Sequence, residues 1–358
     1  MNRPKLLFVT RSRYWRPGNG EATRTVALID ALAAETDLTV FFPDRADAGA
    51  SAFVERSPHR YRLTVGNADR PERAGLVNAM RTLCARIVPD VVLLSRLQLD
   101  FLRLGVPAGV RLVMDTHDLV SDNAASRRRE GVAVQEELGF GQELAYLAQY
   151  DRVLTIQPDD HARVAAVLGE RALCVPHPVR LDARPVRPGG RVIGYAGSQW
   201  LANRHGLQWF LDRVWPHLLP TGATLAVAGY IAELLPAALP TGVVRRGFVP
   251  DLDTLWSGVD IAINPVRWGS GLKIKTVEAL AAGLPLVATS EGVRGLEDGA
   301  GEAFLRADHP EDFALAIAGL LQDDSRRAAL AAAAHQYART RFSPEVCFAP
   351  LTGWLHTL

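Results

Sequence analysis

The stretch from Asn264 to Thr289, NPVRWGSGLKIKTVEALAAGLPLVAT, constrains the fold more than any other part of the chain. It reads strand, glycine loop, helix, strand. Ile261 to Pro265 closes a short apolar run suited to a buried parallel strand, Gly269 and Gly271 free the backbone around Ser270, and Leu272 to Ala282 carries helical spacing. Parallel strands joined through helices need a sheet covered on both faces, which sets an α/β class. Unpaired N–H groups and the positive end of the helix dipole converge where the helix begins, and both favour an anion such as phosphate.

At about 100° per residue, Ile274, Val277 and Ala281 fall on one side of this helix, while Gly271, Lys275, Glu278 and Ala282 fall on the next. A cation in the first turn and a carboxylate one turn later could touch a diphosphate and the two hydroxyls of a ribose together. Spacing alone favours a plainer reading, a surface i,i+3 ion pair worth a few tenths of a kcal/mol. Composition adds to the first reading. Of 40 basic residues only Lys5, Lys273 and Lys275 are lysines. Two compact, flexible point charges beside a glycine loop, in a chain that otherwise uses arginine, suggest a role for the ammonium group itself.

GSGLKIKTVEALAAGLPLVAT, preceded from Gly247 by GFVPDLDTLWSGVDIAINPVRW, resembles the C-terminal signature of retaining glycosyltransferases of family four, the glycosyl transferases group 1, which have the GT-B fold. The resemblance implies an α/β chain with two doubly wound Rossmann-like domains facing a central cleft, and a C-terminal helix crossing back to the N-terminal domain. It implies a nucleotide diphosphate sugar held by the C-terminal domain, with Glu278 matching the second Glu of the Glu-x7-Glu motif, the ribose ligand. The first Glu of that motif falls at Ser270, a departure at the position that usually faces the donor sugar.

Loops after strands are where such sheets bind ligands. GYAGSQWLANRHG, from Gly194, is the first of these loops in the second half; Gly197 suits a turn and Asn203 can cap the helix that follows. The family usually has an Arg and a Lys here to hold the diphosphate, and this chain has Ser198 and His205. Arg204, Lys273 and Lys275 are then the candidate cations for the leaving group, with Lys275 first because it shares a face with Glu278. The resemblance also implies that the loop at Gly269, Ser270 and Gly271 faces the diphosphate and that backbone around Phe248 and Val249 borders the base. In the first half, the loop with Gly18, Asn19 and Gly20 matches the glycine loop that approaches donor and acceptor. DTHD, Asp115 to Asp118, matches the context of a His that reaches toward the donor sugar, which places His117 with Lys275 and Lys273 as catalytic candidates; Asp115 and Asp118 orient it. No metal and no cofactor beyond the donor is implied.

At 358 residues the chain suits two domains, and hydrophobic residues at 48% with charged residues at 22% are ordinary globular values. A net charge of +1 offers no field for nucleic acid. Cys84, Cys174 and Cys347 match no metal or CxxC spacing and read as buried reduced thiols. LLFVT from Leu6 is too short for a signal-peptide core, and no stretch approaches the ~18 residues of a spanning helix. The expectation is a cytoplasmic protein, with peripheral contact at the inner face of the membrane left open.

Along the chain, KLLFVT, DLTVFF, YRLTV, DVVLLS, RLVMD, RVLTI and ALCVP read as strands, with EATRTVALIDALAAE an amphipathic helix and Ala124 to Tyr150 expected as the longest. PHPVRLDARPVRPGG carries four prolines and no periodicity, and reads as a linker. A second βα series follows, with a helix expected around IAELLPAAL and helical residues from about Pro310 to Arg341. The expected domains are 1–178, a linker at 179–190, a nucleotide-sugar-binding domain at 191–342 and a helix at 343–358 that packs back on the first. His161 and His177 have no recognisable partner, His177 reading as packing near the linker, and Arg127, Arg128 and Arg129 read as a solvated helix face.

The function expected is transfer of a hexosyl or deoxyhexosyl unit, with retention, to a saccharide, lipid-linked or other hydroxyl acceptor, in bacterial polysaccharide, glycolipid or glycoconjugate synthesis. The alternatives are a GT-B epimerase or phosphorylase, or a non-catalytic binding partner with the same fold.

Overall fold

Alternation of side chains along each strand explains how the central strands here are covered twice. In the N-terminal part, Leu6 and Phe8 enter one core with Val91 and Leu93, while Leu7 and Val9 enter another with Val92 and Leu94. Apolar residues at consecutive positions therefore leave no polar face, as a parallel sheet between helices requires. The computed structural model describes residues 3–16, 18, 20–69, 71–134, 137–249 and 251–358.

The chain forms two compact units. The first comprises Met1–Pro17, Glu21–His177 and Cys347–Leu358, the second Gly18–Gly20 and Pro178–Val346. In the first, β1 (Lys5–Val9), β2 (Asp37–Arg45), β3 (Arg62–Gly66), β4 (Val91–Ser95), β5 (Arg111–Asp115), β6 (Arg152–Thr155) and β7 (Ala172–Cys174) form one sheet in the order β3-β2-β1-β4-β5-β6-β7. Every pairing is parallel. The helix Gly20–Glu35 buries Leu28, Ile29 and Leu32 against one face, and the last helix, Pro344–Leu355, adds Phe348, Leu351, Trp354 and Leu355 to that same core. Each such side chain contributes roughly 1.5 to 3 kcal/mol by leaving water.

The second unit holds β8 (Val192–Ala196), β9 (Thr224–Ala228), β10 (Val243–Gly247), β11 (Ile261–Asn264), β12 (Leu286–Ala288) and β13 (Leu305–Arg306), in the order β10-β9-β8-β11-β12-β13, again parallel throughout. In each sheet the order reverses once, between β1 and β4 and between β8 and β11. Ligands of open α/β sheets bind outside the carboxyl ends of the strands at such a point. The loops after β1, β4, β8 and β11 are therefore the ones to read for chemistry.

Three elements differ from the sequence reading. The stretch Ala124 to Tyr150 is not the longest helix but two, Val120–Arg129 and Phe140–Leu147, because Gly131 adopts φ 66° and ends the first. Asp324–Phe342 is longer than either. Around IAELLPAAL only a short 3-10 segment forms, Tyr230–Leu234, and the helix of the organising stretch begins at Ile274 rather than Leu272. All three cysteines are free thiols, and Cys84 and Cys347 are buried. Among the described residues no helix is long and apolar enough to cross a membrane.

Candidate active site

Gly269 and Gly271 adopt φ 144° and 63°, values that side chains with a Cβ rarely tolerate, so the loop from β11 to the helix Ile274–Ala281 depends on both. Asn264, buried at the end of β11, donates to Thr276 Oγ1 at 2.8 Å and to the Gly292 carbonyl at 3.1 Å. Thr276 Oγ1 in turn donates to the same carbonyl at 2.6 Å. These bonds fix strand, helix and the loop after β12 as one rigid piece.

The two lysines have different surroundings. Lys273 is the residue just before the helix and is buried; its Nζ donates to Glu291 Oε1 at 2.8 Å, to the Gly271 carbonyl at 3.1 Å and to the Ser270 carbonyl at 3.3 Å. It ties the glycine loop to the loop after β12. Lys275 lies one residue into the helix and is half-buried, with Nζ 4.8 Å from the centre of the Tyr195 ring. It donates to Asn203 Oδ1 and, at 3.3 Å, to Tyr195 Oη. Burial, then the charge of Lys273, pushes its pKa down to about 7, with Glu278 opposing.

Glu278, also half-buried, makes no hydrogen bond and no ion pair within 4.0 Å among the described residues. The surface ion pair with Lys275 that spacing alone favoured does not form. Burial pushes the Glu278 carboxyl up to about 7, against the nearby Lys275 charge. Burial thus brings a carboxyl and an amine, three residues apart on one helix, to titrate in the same range near neutrality.

The loop after β8 faces the same helix. Gly197 is held through its backbone, donating to the Ala228 carbonyl at 3.1 Å and accepting from Ile231 N–H at 3.0 Å. The helix Leu201–Trp209 starts before Asn203, so Asn203 is not its cap. Its side chain instead donates back to Ser198, to the carbonyl at 3.1 Å and to Oγ at 3.2 Å, and accepts from Lys275. His205 Nδ1 accepts from Trp268 Nε1 at 3.2 Å. Arg204 is exposed, and its guanidinium has no hydrogen bond or ion pair among the described residues. Phe248 and Val249 follow β10; Phe248 is exposed and stacks on Tyr230, ring centres 5.0 Å apart.

In the N-terminal glycine loop, Gly18 has φ 113° and Gly20 opens the helix Gly20–Glu35, while Asn19 lies outside the described residues. His117 sits at the centre of a γ-turn: it has φ 57°, and Asp118 N–H donates to the Thr116 carbonyl at 2.7 Å. This conformation is strained for a residue with a side chain and is held by its surroundings. His117 Nε2 lies 3.0 Å from both Ser95 Oγ and Asp115 Oδ2. Asp118 pairs with Arg96 at 3.8 Å. Among the described residues no group of three or more His, Cys, Asp or Glu is placed to hold a metal.

Several residues here escaped the sequence reading. Tyr195, Glu291 and Ser95 left no signal, being single polar groups at strand ends or in a short loop. Arg24 did leave one: it lies four and eight positions before Leu28 and Leu32, on the helix stripe that faces the core. His177 is buried, and its Nδ1 has no partner among the described residues. Burial, then the nearby Arg24 charge, pushes its pKa down to about 3.

This histidine makes acid destabilising. Its folded value is depressed, so the unfolded chain takes up a proton below the ordinary value of 6.5 that the folded chain refuses until about pH 3. Its contribution is complete above pH 6.5 and falls by up to about 1.4 kcal/mol per pH unit on acidification. Urea midpoints between pH 7 and 4 should drop less steeply in His177→Asn than in the parent; parallel slopes would remove His177 from the acid limb.

The arrangement in the second unit matches a known family. Residues 190–323 match the family model described as Glycosyl transferases group 1. Over these residues the C-terminal unit is similar to glycosyl transferases group 1. Solved glycosyltransferases of the GT-B fold cover nearly the whole chain, so the chain has that fold. Sucrose-phosphate synthase from Thermosynechococcus elongatus is 16% identical with a TM-score of 0.74, covering 99% of this chain and 98% of that one. Anabaena HepE, solved with UDP and glucose, is 16% identical with a TM-score of 0.73, covering 99% and 100%. TarM of S. aureus is 8% identical with a TM-score of 0.75, covering 98% and 99%. No curated protein matches the chain. Within the matched residues, Lys275 and Glu278 lie on the helix that follows the glycine loop, at the switch point of the sheet.

Proposed function

We propose that the protein transfers a sugar from a nucleotide diphosphate sugar to an acceptor hydroxyl, with retention at the anomeric carbon. The observation that carries this is the Lys275 and Glu278 couple: an ammonium and an unpartnered carboxyl, three residues apart on one helix behind a glycine loop, both moved to about 7. In this reading Glu278 accepts from the two ribose hydroxyls. Lys275 neutralises the departing diphosphate, with Gly269, Ser270 and Gly271 shaping the loop around it. Ser198 and Asn203 hold Lys275 in place, Arg204 is a second cation at the rim, and Phe248 with Val249 borders the base. His117 acts on the sugar or acceptor. The matched family and the GT-B neighbours support donor use; retention and a hexosyl unit follow from the resemblance at Gly247 to Thr289.

UDP and UDP-glucose, the ligands of HepE, are the first probes, followed by a panel of other nucleotide sugars. Ligand at 100 times its Kd should stabilise the protein by about 2.7 kcal/mol in a thermal-shift assay. Glu278→Ala should lose about 1.5 to 3 kcal/mol of donor affinity with its unfolding midpoint little changed. Affinity should peak near pH 7. Below that value Glu278 must give up a proton to accept from ribose, and above it Lys275 must take one up to face the diphosphate. Equal affinity in parent and Glu278→Ala would place the nucleotide elsewhere.

A further inference from the structure

Arg24 enters the first unit from the helix Gly20–Glu35 with 1% of its side chain exposed. One of its terminal nitrogens donates to Asp115 Oδ1 at 2.7 Å, the other to the Val175 carbonyl at 3.0 Å. Asp115, with no exposure at all, ends β5 beside Ser95 at the end of β4, the two being register partners. Its second oxygen is the one that lies 3.0 Å from His117 Nε2. Two buried side chains, Ser95 from β4 and Asp115 from β5, thus converge on one imidazole nitrogen, with Arg24 behind the carboxylate.

We infer that Arg24 is a positioning residue that decides which nitrogen of His117 carries the proton, so that Nδ1 is offered to a substrate hydroxyl as an acceptor. Burial alone would protonate Asp115, but the Arg24 charge and the contacts of His117 outweigh it and hold the carboxyl well below the usual range. An ionised carboxylate can only accept. With Nε2 unprotonated, its lone pair would face that carboxylate oxygen at 3.0 Å, so the neutral ring keeps its proton on Nε2. Ser95 Oγ takes the in-line position and accepts that proton, while the Asp115 oxygen lies off its axis. Nδ1 then holds the lone pair. It makes no hydrogen bond among the described residues and is not sealed from solvent. The other groups nearby do not reverse this: His177 is neutral, and Asp118 is paired with Arg96, which also meets Glu21 at 3.4 Å.

Without Arg24 the buried carboxyl loses its cation and takes up a proton. A protonated Asp115 donates to Nε2, the ring proton moves to Nδ1, and His117 presents a donor where it had presented an acceptor. An Asn at 115 does the same, since its oxygen stays with Arg24 and its amide faces Nε2; a swapped acid partner of this kind is known to impose the wrong tautomer on a catalytic histidine. The identity of the hydroxyl rests on the transferase reading, whereas the proton's position does not.

Long-range proton–nitrogen NMR of the full chain, labelled at histidine and without ligand, tests the proton's position, with His117→Gln assigning the resonance. The parent should show Nε2 protonated. Arg24→Met and Asp115→Asn should each shift the tautomer ratio toward protonated Nδ1 by about tenfold or more, the effect of losing one charge-assisted hydrogen bond. Arg24→Lys, which keeps the cation, should restore the parent's pattern. Should Arg24→Met not fold, Asp115→Asn and Arg24→Lys decide. A parent ring protonated on Nδ1, or variants whose ratio does not move, would overturn the inference.

Discussion

Turnover of Lys275→Met should fall about 100-fold to 1000-fold, about 3 to 4 kcal/mol, with the Michaelis constant changing far less. A departing diphosphate gains charge in the transition state, and a donor already aimed at it acts there more than on the bound ground state. Lys275 is prepared for this by Asn203 and Tyr195, which fix its ammonium group, and by surroundings that hold its pKa near 7 until an anion binds. Lys273→Met should behave otherwise. Its Nζ already serves Glu291 and two loop carbonyls, so its loss should loosen the glycine loop and lower the unfolding midpoint more than turnover. Steady-state kinetics with the donor identified by the binding panel separates the two. Near-normal turnover in Lys275→Met would move the role to Arg204, whose exposed guanidinium has no partner among the described residues.

Asp115→Ala should destabilise the protein by about 3 to 5 kcal/mol, because it leaves the buried Arg24 guanidinium without its anion. A guanidinium cannot shed its proton to escape that cost. Arg24→Met should be milder, since a buried carboxyl can neutralise itself by taking up a proton. The order of the two variants therefore distinguishes a stranded charge from a simple loss of packing. Thermal unfolding should show Asp115→Ala on the order of 10 °C below the parent. A larger loss in Arg24→Met than in Asp115→Ala would contradict this account of the pair.

The parallel sheets were legible in the chain because consecutive apolar positions at KLLFVT, DVVLLS and DIAIN leave no polar face, and only a sheet covered by helices satisfies that pattern. Helix ends were less legible. The periodicity across Ala124 to Tyr150 continued through Gly131, Gly139 and Gly141, and the left-handed turn at Gly131 broke it.

The site divides the same way. Gly269, Gly271, Lys275 and Glu278 were marked by local order, since spacing along one helix and the need for glycine at positive φ are properties of neighbouring residues. Which lysine is committed to the scaffold was decided by Glu291, 18 residues downstream, and what holds Lys275 was decided by Asn203, 72 residues upstream. Sequence by itself determined the two parallel sheets and the residue types at the glycine loop. Tertiary structure alone decided how far the pKa values of Lys275, Glu278, Asp115 and His177 move, because the burial that acts on each comes from segments that are remote along the chain and meet only when it folds.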